Sequence, residues 1–94
     1  MEAYKRGDYA TALSKFKPLA EQGDAKAQNQ SGAMYATGRG VPKDMVQAYM
    51  WFSLADVQGF EKSSGQINLI EKTMTSEQIA EAQRRAREWK SKKE

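Results

Sequence analysis

Apolar residues recur along this chain at spacings of three and four, and they nowhere alternate with polar ones in steps of two for long. One set is Tyr9, Ala12, Leu13, Phe16 and Leu19; a second is Met45, Ala48, Trp51, Phe52 and Ala55; a third is Ile79, Ala82, Ala86 and Trp89. Each set falls on one stripe of a helix with 3.6 residues per turn. Asn-Gly and Asp-Gly hairpin turns are absent. The pattern predicts an all-α chain with helices over 8–22, 24–37, 43–58, 60–73 and 75–91, and residues 1–6 as the last turn of an earlier helix.

The punctuation between the stripes agrees. Asp8 and Asp24 each follow a glycine, and Asp44 lies just past Gly40-Val41-Pro42. Short oxygen-bearing side chains at these places are expected to accept from the first free backbone N–H groups of a helix. Gly23 and Gly59 stand where a helix end needs a left-handed residue. Thr75-Ser76-Glu77-Gln78 has the form of a capping box. Pro18 lies inside the first stripe, where its missing N–H and its ring crowd the Ser14 carbonyl. Because the stripe runs on through Leu19, a kink is expected there and not a break.

The sequence partly matches itself at a shift of 36. Asp8 meets Asp44, Ala12 meets Ala48, Phe16 meets Phe52, Gly23 meets Gly59, and Ala27 meets the small residue Ser63. A period in the mid-thirties built from two helices points to a helical solenoid, in which one pair cannot bury its apolar face alone and neighbours must stack.

Residues 27–59 carry a more specific likeness. Ala27-Gln28, Gly32, Tyr35, Gly38-Arg39-Gly40-Val41, Asp44, Ala48, Trp51, Ala55 and Gly59 resemble, in identity and spacing, a Sel1-like repeat, a relative of the tetratricopeptide repeat. Ser31 stands where that family usually has Leu, and Asp56 where it usually has Ala. A hydroxyl at Ser31 needs a partner, for which the Ala27 carbonyl four residues back is the candidate. Residues 63–74 resemble the first helix of a following repeat, with Asn68 and Glu71 in place of the usual Gly and Tyr. Met74 to Gln83 is similar to the segment that often closes such an array.

The resemblance implies a short right-handed α-α superhelix with a C-terminal capping helix, in one domain. Residues 1–26 would be a partial first repeat, 27–62 a complete repeat, 63–74 a degenerate repeat helix, and 75–94 the capping helix with a basic tail. It also implies a non-catalytic protein- or peptide-binding adaptor, since Sel1-like proteins generally act as scaffolds. Bacterial members often work in the cell envelope, so the expected setting is a soluble protein of the periplasm if a leader has been removed, and of the cytoplasm otherwise. A structural end-piece of a longer array is the alternative. Most of the helix that would pair with residues 8–22 is missing, so Tyr9, Leu13 or Phe16 is expected to be partly uncovered and to promote self-association.

Composition narrows the chemistry. The chain of 94 residues has neither Cys nor His. Disulfides, thiolate chemistry, Ser-His-Asp triads and His- or Cys-ligated metals therefore have no material, and no cofactor is expected. Carboxylates are the remaining catalytic candidates. Glu77 and Glu81 on one helix face, with Asp8 and Asp24 near turns, read as solvated or capping groups. Gly38-Arg39-Gly40 lacks the Gly-Lys-Ser/Thr ending of a phosphate-binding loop and reads as an inter-helix turn. No apolar run approaches the ~20 residues of a membrane span, and the first residues lack the apolar core of a signal peptide.

The net charge of +3 is unevenly placed: residues 84–94 hold six Lys or Arg against two Glu, and the rest holds nine against ten. Cations gathered at one helix end suit the helix dipole. Nucleic acid is not an expected partner, and binding of nucleic acid or an anionic surface through this tail is the lesser alternative. Trp51, Trp89 and Tyr35 fall at packing positions. Tyr49 and Met50 fall off the main stripe of their helix and are candidates for partner contact, as are Asn29, Gln30, Ala33 and Met34 on the first helix of the complete repeat.

Overall fold

A computed structural model describes the backbone of residues 7–93 and the side chains as far as Trp89. The described residues form five helices and no strand: α1 Tyr9–Glu21, α2 Ala25–Thr37, α3 Met45–Val57, α4 Glu61–Glu71 and α5 Ser76–Lys93. The expected turn at residues 1–6 lies outside the described residues. Each helix lies within two residues of its expected range at both ends.

The starts of these helices are chemically marked. Asp8, Asp24 and Asp44 each accept from the backbone N–H three residues on, at 3.2, 2.9 and 3.1 Å. At α5 the box is reciprocal: the Gln78 N–H donates to Thr75 Oγ1 at 3.1 Å, and the Thr75 N–H donates to Gln78 Oε1 at 2.9 Å. Each such cap stabilises a helix by about 1 kcal/mol. Helix α4 is the exception, because Phe60 at its cap offers no side-chain acceptor. Helix α1 runs through Pro18 without a break.

From α1 to α4, each helix packs antiparallel on the one before it. The Gln58 side chain, just past α3, donates to Gly23 O and to Gln28 Oε1 near the start of α2, both at 2.8 Å. At the other end the Asp44 N–H donates to Tyr35 O at 3.0 Å. Helix α3 is central: α2, α4 and α5 all pack against it, whereas α4 and α5 have few contacts with each other. It is therefore buried nearly all round, from Ala48 to Phe52 and again at Leu54 and Ala55. Trp51 and Trp89 meet edge to face with ring centroids 5.6 Å apart, joining α3 to α5.

The shift of 36 reappears in the backbone. At the end of α1 the N–H groups of Gln22, Gly23 and Asp24 donate to Leu19, Ala20 and Leu19 carbonyls. Thirty-six residues on, those of Gln58, Gly59 and Phe60 donate to Ala55, Asp56 and Ala55. Gly23 and Gly59 have φ of 104° and 88°, where a side chain would be strained.

One local expectation fails: Ser31 Oγ is buried and has no hydrogen-bond partner, so the Ala27 carbonyl does not satisfy it. Of the three α1 residues expected to be partly uncovered, Tyr9 and Phe16 are half-buried. Leu13 is buried with Ala12 and Met34, because α2 covers that side of α1.

Candidate partner-binding face

Helices α2 and α4 lie side by side on one side of α3 and are stitched by an amide. Asn29 Nδ2 donates to Ser63 Oγ at 2.8 Å and also to Gln66 Oε1. Because Asn29 precedes Ser63 by 34 residues and Gln66 by 37, the two helices run parallel in nearly the same register as the repeat. Beyond this stitch they diverge around an open hollow of about 140 Å³. It is lined by Ala33, Ala36 and Thr37 of α2, by Gln66, Leu69 and Ile70 of α4, and by Phe52 at its floor.

The residues explain the hollow. Ala33 and Ala36 are too short to fill the gap between the helices. Gly32, behind them, lets the Phe52 ring come close: a Cβ on Gly32 would stand 2.7 Å from the ring. On the facing wall Leu69 leaves 64% of its surface in solvent. An exposed leucine beside a vacant apolar hollow is a surface that gains by being covered.

The six residues singled out from the sequence separate into two groups. Ala33 lines this hollow, and Gln30, half-buried, lines a second one of about 280 Å³ with Phe16, Leu19, Asp24, Lys26 and Ala27. The other four are buried, although Met50 borders a shallow hollow with Arg85, Glu88 and Trp89, and Tyr49 borders another with Ile67 and Gln83. Met34 is 1% exposed and packs on Ala12 and Leu13. Asn29 is 6% exposed, with its amide spent on Ser63 and Gln66. Tyr49 and Met50 are 5% and 7% exposed. Their positions off the main stripe make them contact candidates only where solvent reaches them, and α3 has neighbours on three sides, so leaving one stripe brings a residue to another helix.

Tyr49 has a structural task. Its hydroxyl donates to Glu71 Oε2 at 2.8 Å and accepts from Gln83 Nε2 at 3.2 Å, tying α3 to α4 and α5. Burial, together with the bond to Glu71, pushes its pKa above the ordinary tyrosine value, outweighing the Gln83 bond.

Three of the four carboxylates considered for chemistry are engaged in local structure. Asp8 and Asp24 cap α1 and α2. Glu81 pairs with Arg84 and Arg85, whose hydrogen bonds hold its carboxyl below the usual range. Arg84 also reaches Glu88 at 2.9 Å, so two of the cations counted in the basic tail are matched along α5 itself. Residues missed by sequence reasoning are Ala36, Thr37, Gln66, Leu69 and Ile70.

No family model matches the chain. It is 43% identical over 49 residues to DAP3-binding cell death enhancer 1 of Rattus norvegicus, covering 52% of this chain and 10% of that protein. The corresponding protein of Mus musculus is 43% identical over 47 residues, covering 50% and 9%. The chain thus spans about a tenth of the length of these curated relatives. No described helix is long and apolar enough to cross a membrane.

Proposed function

We propose that this chain is a non-catalytic protein- or peptide-binding module, a short Sel1-like α-solenoid that presents the α2/α4 face to its partner. The hollow beside exposed Leu69 is the observation that carries this reading, because it is an unfilled apolar site on helices held rigidly by the Asn29 stitch. The recurrence of hydrogen bonds at a shift of 36 supports the repeat architecture. It also supports a division into a partial repeat, a complete repeat, a degenerate helix and a cap. The name of the rodent relatives, DAP3-binding, supports a protein partner and makes DAP3 the first one to try.

The test is calorimetric titration of the chain with purified DAP3, comparing the wild type with Leu69→Glu. Saturable binding that weakens at least ten-fold in the variant supports the reading. Absence of binding, or equal binding by the variant, removes DAP3 or this face from it.

The end-piece alternative draws support from α5. Its inner residues Ala82 and Trp89 pack on the core while its outer face carries the Glu81, Arg84 and Glu88 ion pairs. A polar outer face is what the last helix of an array needs.

A further inference from the structure

The α2/α4 face has a chemical polarity along its length. Lys26 and Ala33 lie seven residues apart on α2, and Lys62 and Leu69 lie seven apart on α4. Seven residues are close to two turns, so each lysine shares a helix face with a residue of the hollow, about 10 Å nearer the N-terminal edge. The two lysines are equivalent under the shift of 36. Because α2 and α4 are parallel and joined at Asn29 and Ser63, both lysines stand at the same edge, each within one turn of that hydrogen bond.

Both are exposed, and among the described residues neither is ion-paired. On α2 and α4 the carboxylates at this edge are Asp24, spent on the α2 cap, and Glu61, one residue and about 100° round α4 from Lys62; Glu21 and Asp56, at the same end, belong to α1 and α3. The positive ends of two helix dipoles add to the lysines. The hollow itself is almost wholly apolar in its lining, and its volume of about 140 Å³ is close to the ~150 Å³ of an apolar cavity that accepts benzene.

From this arrangement we infer that the α2/α4 face recognises an acidic-apolar protein segment, with a phenylalanine or leucine side chain seated in the hollow and a carboxylate about 10 Å away against Lys26 and Lys62. This rests on the adaptor reading and states which segment the adaptor takes. In an extended segment about 10 Å corresponds to three residues. Complementary charge at the edge sets direction and register, and the apolar anchor supplies most of the contact.

The probes are two blocked peptides that place an aspartate three residues before or after a phenylalanine. Their controls replace the aspartate by lysine or the phenylalanine by glycine. Each is titrated into isotope-labelled chain and followed by amide resonances. One acidic-aromatic peptide is expected to shift Ala33, Ala36 and Leu69 together with Lys26 and Lys62. Both controls, and the double variant Lys26→Glu/Lys62→Glu, should weaken binding at least ten-fold. Equal binding of the lysine control, shifts confined to other helices, no binding, or capture of anionic phosphatidylserine vesicles instead of peptide each overturns the inference.

The double variant is titrated with DAP3 in parallel. Wild-type and variant chains that bind DAP3 equally, with no peptide response, would overturn the acidic-anchor inference and leave the adaptor reading standing. A peptide response without DAP3 binding would remove DAP3 and leave the inference.

Discussion

Gly32 and Phe52 face each other so closely that a Cβ on the glycine would lie 2.7 Å from the ring and 3.1 Å from the Ala48 carbonyl. Phe52 is fully buried and cannot swing aside. Gly32→Ala is therefore expected to destabilise the fold by about 1–3 kcal/mol through overpacking, against a helix-propensity gain of about 0.5–1 kcal/mol. Urea denaturation should show a lower midpoint. An unchanged midpoint would mean that the ring has room.

Two other glycines should behave oppositely to each other. Gly65 lies within α4 with nothing inside 4 Å of its would-be Cβ, so Gly65→Ala should stabilise by about 0.5–1 kcal/mol. Gly40 has φ of 79° and would bring a Cβ to 2.6 Å from the Tyr9 backbone. Gly40→Ala should destabilise the contact between this turn and the start of α1, where Arg39 also lies over the Tyr9 ring at 5.1 Å. Thermal melts of the two variants should move in opposite directions.

Tyr49→Phe removes the hydroxyl shared by Glu71 and Gln83 and should cost about 1–2 kcal/mol near neutral pH. The alkaline limb gives a second readout. Because the folded-state pKa is raised, the unfolded chain ionises first, so the stability from a neutral buried Tyr49 is complete below the ordinary value of 10.0. It is lost as pH rises from there through the raised value. The wild type should lose stability more steeply than Tyr49→Phe above that pH, and parallel limbs would contradict the burial argument.

The helices and their starts were legible in the sequence because their causes are local. Asp8, Asp24, Asp44 and the Thr75–Gln78 pair each act within three residues, and Gly23 and Gly59 mark turns by their own backbone freedom. The turn hydrogen bonds that recur at a shift of 36 are local in the same way, closing within a few residues.

The binding face was only partly legible, because it depends on how many neighbours each helix acquires. Tyr49 and Met50 lie off the single stripe that the sequence marks on α3, and they are buried because three helices surround it. Asn29 and Met34 shared a helix with Ala33, yet Asn29 is consumed by a bond spanning 34 residues and Met34 by α1. Ala33 remains at the hollow because its side chain is too short to close it. Leu69 is open because α4 has no neighbour on that side among the described residues.

The most direct test of the central claim is to map the surface of the isotope-labelled chain that DAP3 covers, by amide line broadening on titration. The account predicts broadening concentrated at Ala33, Ala36, Thr37, Gln66, Leu69 and Ile70, with the outer face of α5 around Arg84 and Glu88 unaffected. Broadening centred on α5, or a spectrum unchanged at saturating DAP3, would contradict it.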